Sequence, residues 1–196
     1  TEDDQVVLVF DDAIKRLAKV VDSSSNRFQI LEELDSNVEM PVQVTIASGF
    51  PKGDKLDLVT QKATELGAAA IWAFPADWSV VKWDGKKLAK KEDKLAKIAL
   101  GAAEQSKRNR LPQVRLFEKK ADFQAELAGF DKIFIAYEES AKEGEMSALA
   151  QNLQTVKAGD KLLFIFGPEG GISPKEIAAF EEVGAIKVGL GPRIMR

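Results

Sequence analysis

From residue 41 to residue 190, short apolar runs rich in β-branched and aromatic residues alternate with helical segments, and this alternation limits the possible folds more than any other feature of the chain. "PVQVTIASGF" reads as a strand, "KGDKLDLVTQKATELG" as a helix and "AAAIWAFP" as a second strand, which together complete a βαβ unit. In that helix Asp54 is placed to cap and Asp57 lies near the positive end of the helix dipole. Leu56, Val59, Ala63 and Leu66 share one face, and Gly67 ends the segment. The pattern continues with a long helix within residues 85–108, a strand at 114–117, a helix around 121–127 and the strand "DKIFIAY". A helix within 144–155, a strand at 162–166, a helix from Pro174 and a strand at 186–190 complete it. Such a chain folds as an α/β protein with a parallel, doubly wound sheet, and ligands in these sheets sit beyond the carboxyl ends of the strands.

The first forty residues differ. Runs at residues 6–10, 14–21 and 28–34 are separated by Asp11-Asp12 and by Asp22-Ser23-Ser24-Ser25-Asn26, the pattern of a small β unit with polar turns. The domain boundary is expected between Asn37 and Pro41, giving a β unit over 1–40 and an α/β domain over 41–196. No internal repeat or low-complexity linker interrupts either part.

Composition narrows the chemistry. The chain has no histidine and no cysteine, which removes the usual nucleophilic triads, nearly every zinc site and any disulfide. No metal is expected, so catalysis would rest on Asp, Glu, Lys, Arg, Tyr or a bound cofactor. No apolar run approaches the roughly 20 residues of a membrane span, and the acidic start Thr1-Glu2-Asp3-Asp4 lacks the features of a signal peptide, so a cytoplasmic protein is expected. The net charge of −3 conceals an asymmetry: between Lys82 and Arg110, ten Lys and Arg (82, 86, 87, 90, 91, 94, 97, 107, 108, 110) face four acids (84, 92, 93, 104).

"LLFIFGPEGGISPKEI" places glycines between a strand and a well-specified helix start, with Ser173 at the cap, Pro174 first in the helix and Glu176 three residues after the cap. A phosphate loop is one reading, but neither G-x-x-x-x-G-K-[ST] nor G-x-G-x-x-G is present, and Glu169 puts an anion where a phosphate would sit. A tight strand-to-helix connection without a ligand is a second reading. A backbone-lined pocket for a neutral or cationic ligand is the third, with Pro168 stiffening the loop. "VGLGPRIMR" repeats the strand, glycine and proline pattern, and two such turns would line a pocket with the donors and acceptors an adenine edge needs.

"FIFGPEGGISPKEI", "VGLGPRIMR", "QKATELGAAAI" and "IALGAAEQSKRNRLPQV" together resemble the RsmE family of 16S rRNA (uracil-N3)-methyltransferases, members of the SPOUT superfamily. The resemblance covers residues 49–196 firmly and the N-terminal β unit loosely. It implies S-adenosylmethionine in a SPOUT-type parallel sheet with a C-terminal trefoil knot, a partial PUA-like RNA-binding barrel before it, and a homodimer that methylates 16S rRNA in the small ribosomal subunit. Carried over by position, the cofactor would be lined by Tyr137 and Glu138, by Phe166, Gly167, Pro168, Glu169, Gly170 and Gly171, and by Leu190, Gly191, Pro192, Arg193, Ile194 and Met195. Two departures stand out. Lys107 occupies a position after "EQS" where the family is expected to carry Gly. The chain also stops at Arg196, where the family continues with a last helix that completes the knot, so a chain ending there is expected to bind cofactor poorly.

Uracil N3 becomes nucleophilic on deprotonation, which calls for a carboxylate base or a cation stabilising the imide anion. Arg196 is the first candidate for the electrostatic role and Glu169 a candidate base. RNA contacts are expected from Gln61, Lys62, Lys82, Gln105, Lys107, Arg108 and Arg110, with Arg108 and Arg110 foremost because a guanidinium fork matches phosphate oxygens. The remaining lysines also fit the solvated face of a helix packed through Leu88, Leu95, Ile98 and Leu100. Trp72, Trp78 and Trp83 are available either to stack on bases or to pack a core. A non-catalytic RNA-binding or ribosome-assembly module with the same fold is the alternative function, and a nucleotide-binding enzyme is the third.

Overall fold

In a computed structural model of the chain, residues 1–137 and 146–190 are described. The N-terminal unit is a three-stranded antiparallel sheet of β1 (Gln5–Val9), β2 (Lys15–Asp22) and β3 (Arg27–Leu34), ordered β1-β2-β3. The tight link between β2 and β3 is built by the Asp22 carboxylate. It accepts hydrogen bonds from the Ser24 N–H and from both the Ser24 and Ser25 hydroxyls, so the "DSSSN" cluster turns on its own side chains. The Ser24 and Ser25 hydroxyls hold the Asp22 carboxyl down to about 2.

The second sheet has six strands, all parallel, ordered β6-β5-β4-β8-β7-β9. They are β4 (Gln43–Gly49), β5 (Ala70–Phe74), β6 (Gln113–Leu116), β7 (Lys132–Ala136), β8 (Lys161–Phe166) and β9 (Ile186–Val188). Helices α1 (Lys55–Glu65), α2 (Gly85–Gln105), α3 (Lys120–Ala125), α4 (Met146–Leu153) and α5 (Pro174–Glu182) connect them. Every residue of β5 is buried, as expected of a strand covered on both faces. On one side Phe74 and Phe123 stack at 4.1 Å and 2°, with Phe180 edge-on to both, pairs worth about 0.5–1.5 kcal/mol each beyond the area they bury. Trp72 and Trp83 are core residues: Trp72 packs edge-on to Phe117 and Phe130, and Trp83 lies 4.4 Å from Phe50.

Two helix faces depart from their expected residues. The buried line of α1 is Leu56, Thr60 and Thr64, while Leu66 is 79% exposed because it stands at the C-cap, past the last packed turn. Gly67 at φ +99° then closes the helix as expected, its N–H bonding Thr64 O and the Ala68 N–H bonding Ala63 O. Asp54 occupies the cap position without a side-chain hydrogen bond. In α2 the buried residues are Leu95, Ala99, Ala102 and Ala103, and Leu100 points outward.

Chain order reverses between β4 and β8. The connection after β4 leads to β5 on one side, and the connection after β8 leads to β9 on the other. In an open α/β sheet that switch point is where a ligand crevice is expected.

Candidate functional site

The crevice at the switch point is closed. A Cβ on Gly49, at the end of β4, would stand 2.5 Å from Pro168 Cδ, so the loop after β8 rests directly on the end of β4. Glu169 fastens it there: its Oε1 accepts the Lys52 N–H at 3.0 Å and pairs with Lys55 Nζ at 2.8 Å. The glycines of this loop serve its own packing. A Cβ on Gly167 would meet the Gly171 carbonyl carbon at 2.5 Å, Gly171 adopts φ +81° and donates its N–H to Pro168 O, and a Cβ on Gly170 would lie 3.1 Å from Trp78 Cβ.

The helix start that follows is the capping box its sequence specifies. Ser173 Oγ accepts the Glu176 N–H, Glu176 Oε2 accepts the Ser173 N–H, and Pro174 is the first helical residue. Glu176 does more than cap. Only 2% exposed, it uses Oε1 to accept the Asp77 N–H at 2.9 Å and to pair with Lys120 Nζ at 2.6 Å. Lys120 also binds Asp77, whose second oxygen accepts the Ser173 hydroxyl at 2.6 Å. Burial alone would lower the Lys120 pKa, but Asp77 and Glu176 outweigh it and raise the value; Lys120 in turn, with the Ser173 hydroxyl, lowers that of Asp77. The ends of β5 and β6 are thereby tied to the start of α5.

β8, β7 and β9 are neighbours, so the expected cofactor segments after Ala136, Phe166 and Val188 emerge side by side, and the Tyr137 N–H extends the pairing by bonding Val188 O at 3.1 Å. Tyr137, Phe166 and Gly167 are partly buried and Leu190 is exposed. These side chains stand at the strand ends, and the one carboxylate of the loop after β8, Glu169, is paired with Lys55. The expected residues Glu138, Gly191, Pro192, Arg193, Ile194, Met195 and Arg196 lie outside the described residues.

Glu169 does not suit the role of general base. Lys55, foremost, holds its carboxyl down to about 2, far from the range in which a carboxylate removes protons efficiently near neutral pH. The set expected to contact RNA is also divided. Lys82 follows β5 and stands at the carboxyl end of the sheet, whereas Gln105, Lys107 and Arg110 lie at the far end of α2, roughly 31 Å away at 1.5 Å per residue. Gln61 and Lys62, near the end of α1, share that far end, where Lys62 pairs with Glu65 at 2.8 Å.

Arg108 is not a phosphate contact in this structure. It is 6% exposed and its guanidinium is committed, with Nε and Nη2 on the two oxygens of Glu39 at 2.8 and 2.6 Å, Nη1 on Thr64 O and Nη2 also on Ala68 O. Its neighbour Asn109 donates to Ala13 O and Ser36 O and accepts the Val38 N–H, so the pair fixes the antiparallel unit to the parallel sheet. Lys107 adopts φ +56° at the end of α2, which accounts for the expectation of glycine at that position. A 670 Å³ cleft lies beside this junction, lined by Asp12, Glu33, Asp35 and Arg110 among others, at the end of the sheet opposite the glycine loop. Its acidic lining and its distance from the strand ends separate it from the candidate site.

Sequence reasoning did not find Lys52, Lys55, Asp77 and Lys120. Their partners lie far along the chain, 117 residues for Lys52 with Glu169 and 99 for Asp77 with Glu176, and no local pattern marks such pairs.

Among the described residues no helix is long and apolar enough to cross a membrane, and no group of three or more acidic, His or Cys side chains is arranged to hold a metal ion. Residues 38–196 match the model of an RNA methyltransferase domain. The chain is 42% identical over 197 residues to the ribosomal RNA small subunit methyltransferase E of Bacillus subtilis, covering all of this chain and 77% of that protein. It is 32% identical over 199 residues to the protein of the same name from Mycobacterium tuberculosis, covering 96% and 72%. A Legionella pneumophila protein solved in complex with the bound cofactor SAM superimposes with a TM-score of 0.78 at 28% identity, over all of this chain and 78% of that one. A further crystal structure, described as that of a hypothetical protein, superimposes with a TM-score of 0.88 at 38% identity over the same shares. With a domain match over most of its length and this identity to full-length relatives, the chain belongs to the ribosomal RNA small subunit methyltransferase E family.

Proposed function

We propose that this protein methylates N3 of a uridine in 16S rRNA of the small ribosomal subunit, with S-adenosylmethionine as donor, and that it acts in the cytoplasm as a homodimer. The observation that carries the proposal is that the ends of β8, β7 and β9 lie side by side at one edge of a parallel sheet whose switch-point crevice is filled. In this reading residues 41–196 belong to a SPOUT methyltransferase domain of the kind whose C-terminal trefoil knot is completed by a last helix after them, and residues 1–40 are part of a PUA-like RNA-binding barrel.

Tyr137, Phe166 to Gly171 and Leu190 would hold the cofactor, joined by Glu138 and residues 191–195. Bound there, S-adenosylmethionine supplies an electrophilic methyl group on a sulfonium. The protein's share is to fix the uracil ring in line with that methyl and to stabilise the imide anion formed when N3 gives its proton to solvent. With Glu169 tied to Lys55 and its carboxyl far below neutrality, anion stabilisation falls to a cation, and Arg196 is assigned that role. Gln61, Lys62, Gln105, Lys107 and Arg110 would hold RNA phosphates at the far end of the sheet, with Lys82 at the near end. Incubation of the full-length protein with tritiated S-adenosylmethionine and undermethylated small subunits tests this. Label in the rRNA is expected, and its absence would leave the non-catalytic RNA-binding reading.

A further inference from the structure

We infer that Trp78 is a stacking platform for a nucleobase of the RNA substrate, held at the lip of the glycine loop. Of the three tryptophans it is the exposed one, at 47%, while Trp72 and Trp83 are 7% and 8% exposed and serve the core. Its position is fixed. Asp77, the preceding residue, donates its N–H to Glu176 and places its carboxylate between Ser173 and Lys120, and the Ser79 N–H closes a turn onto Ala76 O. The edge of the six-membered ring of Trp78, Cζ3 and Cε3, stands 3.8 and 3.9 Å from where a Cβ on Gly171 would be, and its Cβ crowds Gly170.

An exposed indole leaves apolar surface in water unless something covers it, and two observations name the cover. The ring borders the loop that forms one wall of the proposed methyl-donor pocket, so a substrate strand entering that pocket passes it. Lys82, four residues on in the chain, is exposed, as is Lys52, whose backbone N–H is held by Glu169 of the same loop, and both are cations suited to phosphates. A rigid aromatic with exposed cations on the adjoining segments suits single-stranded bases, since every base offers a π-face and a preorganised ring loses little freedom on binding.

This inference rests on the proposed rRNA methylation but is read separately from it. Wild type, Trp78→Ala and Trp78→Phe are compared for kcat/KM on undermethylated small subunits, for affinity to the same subunits by filter binding, and for S-adenosylhomocysteine affinity by calorimetry. Trp78→Ala is expected to lower both kcat/KM and subunit affinity about tenfold, within the range for loss of one base–aromatic stack. Trp78→Phe restores most of the loss, and S-adenosylhomocysteine affinity stays within about twofold of wild type, the scale of no lost contact. Unchanged subunit affinity in Trp78→Ala overturns the inference, as does a parallel fall in cofactor affinity, which would make Trp78 a support of the pocket wall. A slower-sedimenting Trp78→Ala would assign the ring to a contact between copies and also overturn it. Should wild type transfer no methyl, the functional proposal fails, while the filter-binding arm still decides the role of Trp78.

Discussion

Glu169 and Lys55 meet at 2.8 Å across the switch point of the sheet, joining the loop after β8 to the start of the helix after β4. This contact turns a carboxylate that looks catalytic in the sequence into a latch. With the Lys52 N–H as its second partner, Glu169 holds the loop after β8 against the end of β4 and keeps the crevice there shut.

The latch predicts a mild phenotype for Glu169→Gln. The amide still accepts the Lys52 N–H, so kcat should fall less than about fivefold, against the hundredfold or more expected on removing a general base. A carboxyl held near 2 is ionised throughout the neutral range, and its contribution is present above about 4.5 and lost only as pH falls toward 2. The pH profile of kcat/KM between 6 and 9 should therefore be superimposable for the two proteins, as measured by initial rates.

Gly167→Ala should damage the site more than it damages the fold. Its methyl would meet the Gly171 backbone at 2.5 Å, with no flexible side chain there to yield, so the loop must open. Cofactor affinity by calorimetry is expected to fall at least about tenfold, the equivalent of 1.4 kcal/mol. Gly53→Ala, where a Cβ meets nothing within 4 Å, should leave affinity unchanged and serves as the control, although its φ of +62° lowers the melting temperature.

Arg108→Ala should destabilise the protein by about 3 kcal/mol or more, because it strands the Glu39 carboxylate and two backbone carbonyls in a buried place. Burial works against the charge on Glu39, but Arg108 and the Asn109 and Arg110 N–H groups outweigh it and keep its pKa below the ordinary value. That contribution holds above about pH 4.5 and disappears as pH falls below it, so the wild type should lose stability in acid faster than the variant. Arg110→Ala, at an exposed position, should leave denaturant midpoints within about 0.5 kcal/mol and instead weaken RNA binding, with a shallower salt dependence.

Lys107→Gly should stabilise the fold. Lys107 sits at φ +56°, where a Cβ costs roughly 1 kcal/mol and glycine is free of it. A rise of about 2–4 °C in melting temperature follows for a domain of this size, measurable by calorimetry.

These residues show what a sequence discloses and what it withholds. The expected strands all form, most within a residue or two of their anticipated ends, and the capping box at Ser173 and the closure at Gly67 match in detail, because each depends on neighbours a few positions away. The sequence pattern failed where packing between distant segments decides. Leu66 and Leu100 fit an apolar face by spacing, yet the buried places go to Thr60, Thr64 and small alanines that let α1 and α2 approach. Arg108 looked like a phosphate fork in a basic run, and only the arrival of Glu39 from 69 residues away makes it a clamp. The loop after β8 reads in the sequence as a pocket wall from its glycines, but the structure assigns those glycines to the loop's own packing against Gly49, Gly171 and Trp78.

The most direct test of the central claim is nucleoside analysis of rRNA from undermethylated small subunits after incubation with the full-length protein and labelled S-adenosylmethionine. The account predicts that the label co-elutes with 3-methyluridine and is absent from the other nucleosides. Label in a different nucleoside, or an unlabelled 16S rRNA, would contradict it.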